Sequence, residues 1–255
     1  PGEGYTQSLL EGVRFMRSDR PLRVTPVLYE PSIVIVCQGR KKGYLGSEVY
    51  VYDAMHYLVL SVPLPFISET EASPDDPLLA VSIRLNMATV AELVSMLEHG
   101  KTRSRNSPQC MFSTPLKMTM VNATVRLLEA LCSPEKAKVL APSIVREICY
   151  RVLVDEQGGA VRTALAQQGQ FGRIAKALNR IHADFAEPLE VGRLANEVGM
   201  STSVFHVHFK AVTQSSPLQY IKSTRLHHAR MMMIRDGMPA AAAAMRVGYE
   251  SPSQF

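Results

Sequence analysis

The chain has 255 residues, 46% hydrophobic and 20% charged, with 15 glycines, 16 prolines and a formal net charge of +5. This composition is that of a folded globular protein and excludes a disordered tail, a collagen-like repeat or a coiled coil. The length suits two domains, each with its own core. No apolar run reaches the roughly 18 residues of a bilayer span. The opening PGEGYTQSLLEGVRF has an early acid and no basic-then-apolar block, so no signal peptide is read there and the expected location is the cytoplasm. Cys37, Cys110, Cys132 and Cys149 lie far apart without a CxxC pair and are expected as free thiols.

Residues 24–85 read as β structure. The β-branched run Ile33–Val36 sits between Pro31 and Gly39. Two short strands follow around the expected turn residues Gly43, Gly46 and Asp53: Glu48–Tyr52, with one solvated face, and the apolar Tyr57–Val62. Arg40-Lys41-Lys42 reads as a solvated turn, otherwise an anion or DNA-backbone contact. PLPFISETEASPDDP, with four prolines, reads as a loop or edge passage, and Leu78–Leu85 as another strand. Many short strands with frequent turns predict a barrel or sandwich. After Asn86 the period changes. Val90, Leu93, Val94 and Leu97 share a helical face ended by His99-Gly100; Val121, Val125 and Leu128 share another within Met118–Leu131; Pro142 opens a third helix through Ile144, Ile148 and Val152. These apolar faces are expected to pack on the barrel, or in part to pair two subunits through Val90–Leu97 or Met118–Leu131. QQGQFG, residues 167–172, is the expected linker, and everything beyond it reads as helix.

Charge is unevenly placed. Residues 1–170 hold 18 Lys+Arg against 17 Asp+Glu; residues 171–255 hold 10 against 6, with five of the seven histidines. A basic C-terminal segment suits a polyanion partner. Within it, VGRLANEVGMSTSVFHVHFK (Val191–Lys210) has the grammar of a helix-turn-helix. Leu194 and Val198 line a first helix, and Ala195 is small where the second must cross. Gly199 takes the turn, Ser201 caps the next helix, and Phe205 and Phe209 turn inward together. Ser203, His206, Val207 and Lys210 remain on the side a major groove would meet. A cruder copy, MPAAAAAMRVGYESPSQF, aligns on Gly248, with a long helix between the two units. Arg225 and His227 on that helix join Lys210 as expected phosphate contacts, and Ser253 as the remnant of the second reading face.

The strings FHVHFKAVTQSSPLQYIKSTRLHHAR and VGYESPSQF resemble the AraC/XylS-type bacterial transcription regulators, over residues 171–255. YEPSIVIVCQGRKKGYLG with HYLVLSVPLPF resembles the AraC-type N-terminal effector domain, a cupin-like barrel. The resemblance implies a two-domain α+β protein. Residues 1–166 would bind an effector and dimerise, 167–172 would link, and 173–255 would bind DNA through two helix-turn-helix units, the second cut short at Phe255. It also implies duplex DNA, an unknown small molecule, a second copy of the chain and RNA polymerase as partners, with no cofactor and no membrane. Family members often have a polar residue where Val207 stands, so base contact there is expected to be apolar, toward a thymine methyl.

Tyr29, Arg40, Tyr44, Tyr50, Tyr52 and His56 are the polar-tipped candidates for effector contact on the barrel strands. The competing class is a metal-dependent cupin enzyme with an appended helical domain. It needs several converging histidines and a carboxylate, whereas only His56 and His99 occur before residue 171 and no HxH pair exists there. No nucleophile-elbow or phosphate-loop pattern is visible either, so catalysis is not expected.

Overall fold

A computed structural model describes residues 2–97, 109–155, 157–165 and 169–251. Nine strands come first: β1 (Gly4–Gln7), β2 (Val13–Ser18), β3 (Leu22–Tyr29), β4 (Ser32–Gln38), β5 (Arg40–Leu45), β6 (Glu48–Asp53), β7 (His56–Leu60), β8 (Leu64–Glu71) and β9 (Leu78–Arg84). Then follow α1 (Met87–Leu97), β10 (Met111–Pro115), α2 (Met118–Ala130), α3 (Pro134–Val139), α4 (Ala141–Val154) and α5 (Gly158–Leu165). The C-terminal part is helical: α6 (Gly169–Ala183), α7 (Val191–Glu197), α8 (Thr202–Thr213), α9 (Pro217–Arg235) and α10 (Ala240–Arg246).

The strands form one antiparallel half-barrel in the order β1-β2-β9-β4-β7-β6-β5-β8-β3, with β10 added on β7. Ile33–Val36 is buried on both faces because β4 lies between β9 and β7, which is why its apolar run shows no alternation. Three sequence expectations are corrected. Arg40-Lys41-Lys42 is not a turn but the start of β5, and Gly43 lies mid-strand, where an added Cβ would meet Met111 Cε at 2.5 Å. The turn sits at Gly46, at φ 60°. The proline-bearing 64–71 stretch is neither loop nor edge: β8 pairs with both β5 and β3, buries every second residue from Leu64 to Thr70, and confines Pro63 and Pro65 to its start.

α4 is the hub of the following helices and packs on α1, α2, α3 and α5. Val90, Leu93 and Val94 face this interior, so the expected pairing of subunits through Val90–Leu97 is corrected: that face is core. On α2 the buried line is Met120, Ala123, Thr124 and Leu127, leaving Val125 exposed on the outer flank. His99 and Gly100 lie outside the described residues, as do residues 167 and 168 of the expected linker. Residues 169–172 form the first turn of α6. A single buried cluster runs from the half-barrel through α4 and α6 to Phe205, Phe209 and Tyr220. No described helix is long and apolar enough to cross a membrane.

Candidate nucleic-acid interface and barrel interior

α7 is short because Gly199, at φ 67°, ends it. The amides of Val198 and Met200 both reach Ala195 O, at 3.2 and 2.9 Å, and Gly199 N reaches Asn196 O at 3.0 Å. Ser201 then caps α8, its Oγ accepting from Val204 N at 3.4 Å. Phe205 and Phe209 are fully buried with ring centroids 5.3 Å apart, and Phe209 meets Tyr220 of α9 edge-on at 5.4 Å. Burying that face turns the other outward. Ser201, Ser203, His206, Val207 and Lys210 are all exposed, and Val207 shows 68% of its surface to solvent. An exposed helix face beginning at an N-terminus is the shape that enters a major groove.

The second unit repeats the turn. Val247 N and Tyr249 N both reach Ala244 O, at 3.3 and 3.1 Å, and Gly248 N reaches Met245 O at 3.2 Å, with Gly248 at φ 88°. Ala243 and Val247 pack on Ala229 of α9, flanked by Phe185, Met232, Met238 and Tyr249. Ser253 lies outside the described residues.

Two expected phosphate contacts are placed otherwise. The Arg225 guanidinium donates from Nε to Phe185 O (2.7 Å), from Nη1 to Gly248 O (3.0 Å) and from Nη2 to Glu187 O (2.8 Å), and it lies 5.7 Å from the Tyr249 ring centre. It ties the α6–α7 connection to the second turn, so its donors point at carbonyls rather than at a phosphate. His227 is no surface cation either. Its Nδ1 is buried with no hydrogen-bond partner among the described residues, and burial lowers its pKa to about 4.

α9 also touches the half-barrel. Tyr220 Oη donates to Pro63 O at 2.6 Å, so at its 2.7 Å contact His182 Nε2 must be the donor. This fixes a neutral Nε2–H tautomer, consistent with burial holding the His182 pKa down at about 4. Further along α9, Arg230 Nη1 donates to Pro26 O of β3 at 3.0 Å.

Strand parity sorts the effector candidates. Directly opposed residues share a face, so Lys41, Tyr52 and Thr70 point the same way, as do Gly43, Tyr50 and Ser68. Tyr29 opposes Leu64 on the same inner face and packs edge-on to Phe66 at 4.9 Å. Tyr29, Tyr50 and Tyr52 therefore line the interior. Tyr52 is fully buried, its Oη 3.4 Å from Ser68 Oγ, and Tyr29 Oη is 3.4 Å from Tyr5 Oη. Arg40 and Tyr44 point outward: Tyr44 donates to Glu69 at 2.6 Å and Arg40 pairs with Asp53 at 3.5 Å. His56 sits at the rim, its Nδ1 3.0 Å from Asp53. Arg40 and Asp53 line an outer cleft of about 510 Å³ beside Met55, Glu71 and Asp76. Parity thus removes Arg40, Tyr44 and His56 from the interior and adds Lys41, which the sequence reading left in a turn. No group of three or more His, Cys, Asp or Glu side chains is placed to hold a metal ion among the described residues.

Comparison with known proteins bears on both halves. A helix-turn-helix domain profile matches residues 194–255. An AraC-like transcription regulator of Streptomyces antibioticus is 34% identical over 80 residues, 31% of this chain and 26% of that protein. The HTH-type transcriptional regulator AlkR of Acinetobacter baylyi is 32% identical over 82 residues, 32% of this chain and 27% of its own. The chain thus covers about a quarter of the length of these relatives. Among solved structures, an apo variant of ToxT from Vibrio cholerae strain SCE256 superposes with a TM-score of 0.64 at 11% identity, covering 100% of this chain and 93% of ToxT. Wild-type ToxT with an unsaturated fatty acid bound gives 0.62 at 12% identity, covering 94% and 88%. At such identities the likeness is one of fold. The profile of the AraC-type transcriptional regulator N-terminus matches residues 9–160, more than half of the chain, and the chain belongs to the AraC-type transcriptional regulators.

Proposed function

We propose that the chain is a sequence-specific DNA-binding transcription regulator whose activity responds to a small molecule taken into the half-barrel. The observation that carries this reading is the repeated turn: Gly199 and Gly248 close two helix-turn-helix units with the same hydrogen-bond register, joined by the single helix α9. In this reading residues 1–166 bind effector and pair two chains, 173–255 bind DNA, and the join lies at 167–172. Ser201, Ser203, His206 and Val207 face base edges, and Lys210 faces phosphate. The fatty acid seen in ToxT supports a small-molecule role for this fold. Pairing uses the outer flank of α2 around Val125, and RNA polymerase is the partner such a regulator addresses. The reading assigns binding, not catalysis, to both halves. Fluorescence anisotropy with duplex DNA from the chain's own upstream region tests it. Affinity should fall linearly in log–log form with rising salt, by about one unit of slope per phosphate neutralised. Tight binding that ignores salt would refute it.

A further inference from the structure

Among the described residues, the interior of the half-barrel holds a cation, Lys41, with no counter-charge beside it. Lys41 is 5% exposed, and its Nζ donates to Thr70 Oγ1 at 2.8 Å. None of the ion pairs formed by the described residues involves it. Its neighbours in sequence behave differently. Arg40 pairs with Asp53, and Lys42 pairs with Glu71, both on the outer face. The groups that face Lys41 are the partners that strand register places beside it: Tyr52 from β6, Thr70 and next to it Ser68 from β8, with Tyr29 from β3 further along the same face. All are neutral hydroxyls, and burial raises the pKa of Tyr29 and Tyr52, so they stay neutral. An ammonium has three donors and one full charge. Here one donor reaches a protein acceptor and the charge has no carboxylate. Burying a cation in this way is unfavourable unless a counter-charge joins it.

We propose that Lys41, with Thr70, Ser68 and Tyr52 around it, is the polar end of the interior site and takes the head of a small monocarboxylate effector. The inference rests on the effector-responsive reading above and adds the chemical class of the ligand. A single negative charge matches a single ammonium; a dianion such as phosphate would leave one charge unanswered. The hydroxyls supply hydrogen bonds to the second carboxylate oxygen, and the aromatic faces of Tyr29 and Phe66 suit an apolar body. Burial alone lowers the Lys41 pKa to about 8, so the ligand-free site is charged at neutral pH and loses its charge at pH 9.

The test uses the full chain and two matched pairs of probes, benzoate with benzyl alcohol and hexanoate with hexanol. Thermal shift and titration calorimetry should show stabilisation by at least one acid and not by its alcohol. Its apparent affinity should weaken about tenfold from pH 7 to pH 9 as the ammonium titrates. Lys41→Met should abolish the response while melting no lower than the parent without ligand, because a buried unpaired charge has been removed. Thr70→Val keeps the charge and should weaken binding only in part, which guards against a misfolded first variant. Equal stabilisation by acid and alcohol, or an undiminished response in folded Lys41→Met, overturns carboxylate recognition while leaving an effector site intact. No response to any of the four probes also overturns it. DNA binding, measured separately by anisotropy, decides the underlying reading independently of either result.

Discussion

The two helix-turn-helix units make the same turn and hold it by different means. Gly199 sits in open surroundings: a Cβ there would find only Arg173 Nη1, at 3.8 Å. Gly248 is pressed against the chain, and a Cβ there would collide with Ala186 O. The first unit rests on apolar bulk, since Leu194, Ala195, Val198, Met200, Phe205 and Phe209 are all part of the main core. The second has a small core of Ala229, Ala243 and Val247, and relies on the Arg225 clamp and that close backbone approach. A shared motif therefore does not imply shared energetics: one unit is built by side-chain packing, the other by fitting backbone to backbone.

Substitutions can separate the two. Gly248→Ala meets both a left-handed φ and a backbone carbonyl that cannot move aside, and should destabilise by upwards of about 4 kcal/mol, detectable as a lost or split urea transition. Arg225→Met keeps the apolar stem and removes donors to three carbonyls. It should lower stability by roughly 2–3 kcal/mol, with hydrogen exchange quickened around α10 and residues 185–187 but not in α8. Gly199→Ala faces only the backbone penalty, about 1–2 kcal/mol. A result as severe as at Gly248 would erase the contrast.

Acid should weaken both units through their buried histidines. His182 and His227 titrate near 4 in the folded chain against about 6.5 when unfolded. Between those values the unfolded chain binds more protons, so stability falls as pH drops from about 6.5 toward 4. The double variant His182→Gln, His227→Gln should flatten that part of the profile in thermal melts. Smallest in stability but telling in function is Lys210→Ala: no change in melting, and a salt slope for DNA shallower by about 1, alike on every sequence. His206→Ala should instead weaken binding by about 1–3 kcal/mol at one base position.

What the sequence made legible was local. A helix-turn-helix is written in adjacent residues, so Gly199, the Ser201 cap and the Phe205–Phe209 pair could be read without knowing the rest of the fold, and Gly248 followed by alignment on the first glycine. The long apolar strands were legible for the same reason. Strand parity was not. Whether Arg40 or Lys41 faces inward depends on the register of β5 against β6 and β8, which no property of RKKGYL states, and three consecutive cations read as a solvated turn. Arg225 and His227 misled in a related way. Their charges look available on an isolated helix and are withdrawn only when Phe185, Glu187 and Gly248 fold back beside α9. Met111–Pro115 was too short to stand out, and it became a strand because β7 had an edge to offer.

The helix α9 makes the two units one piece of machinery. Its 19 residues form a rod roughly 28 Å long, fastened near its start through Tyr220 to Pro63 and farther along through Arg230 to Pro26. A shift of β3 or of the entry to β8 would, in the proposed regulator, be passed to α9 through these two bonds and would move both units together, leaving their relative phase fixed. In the proposed regulator, ligand would gate whether DNA is engaged without retuning the spacing it reads. Inserting half a helical turn, about 5 bp, between the two contacted segments should therefore abolish recognition in every ligand state.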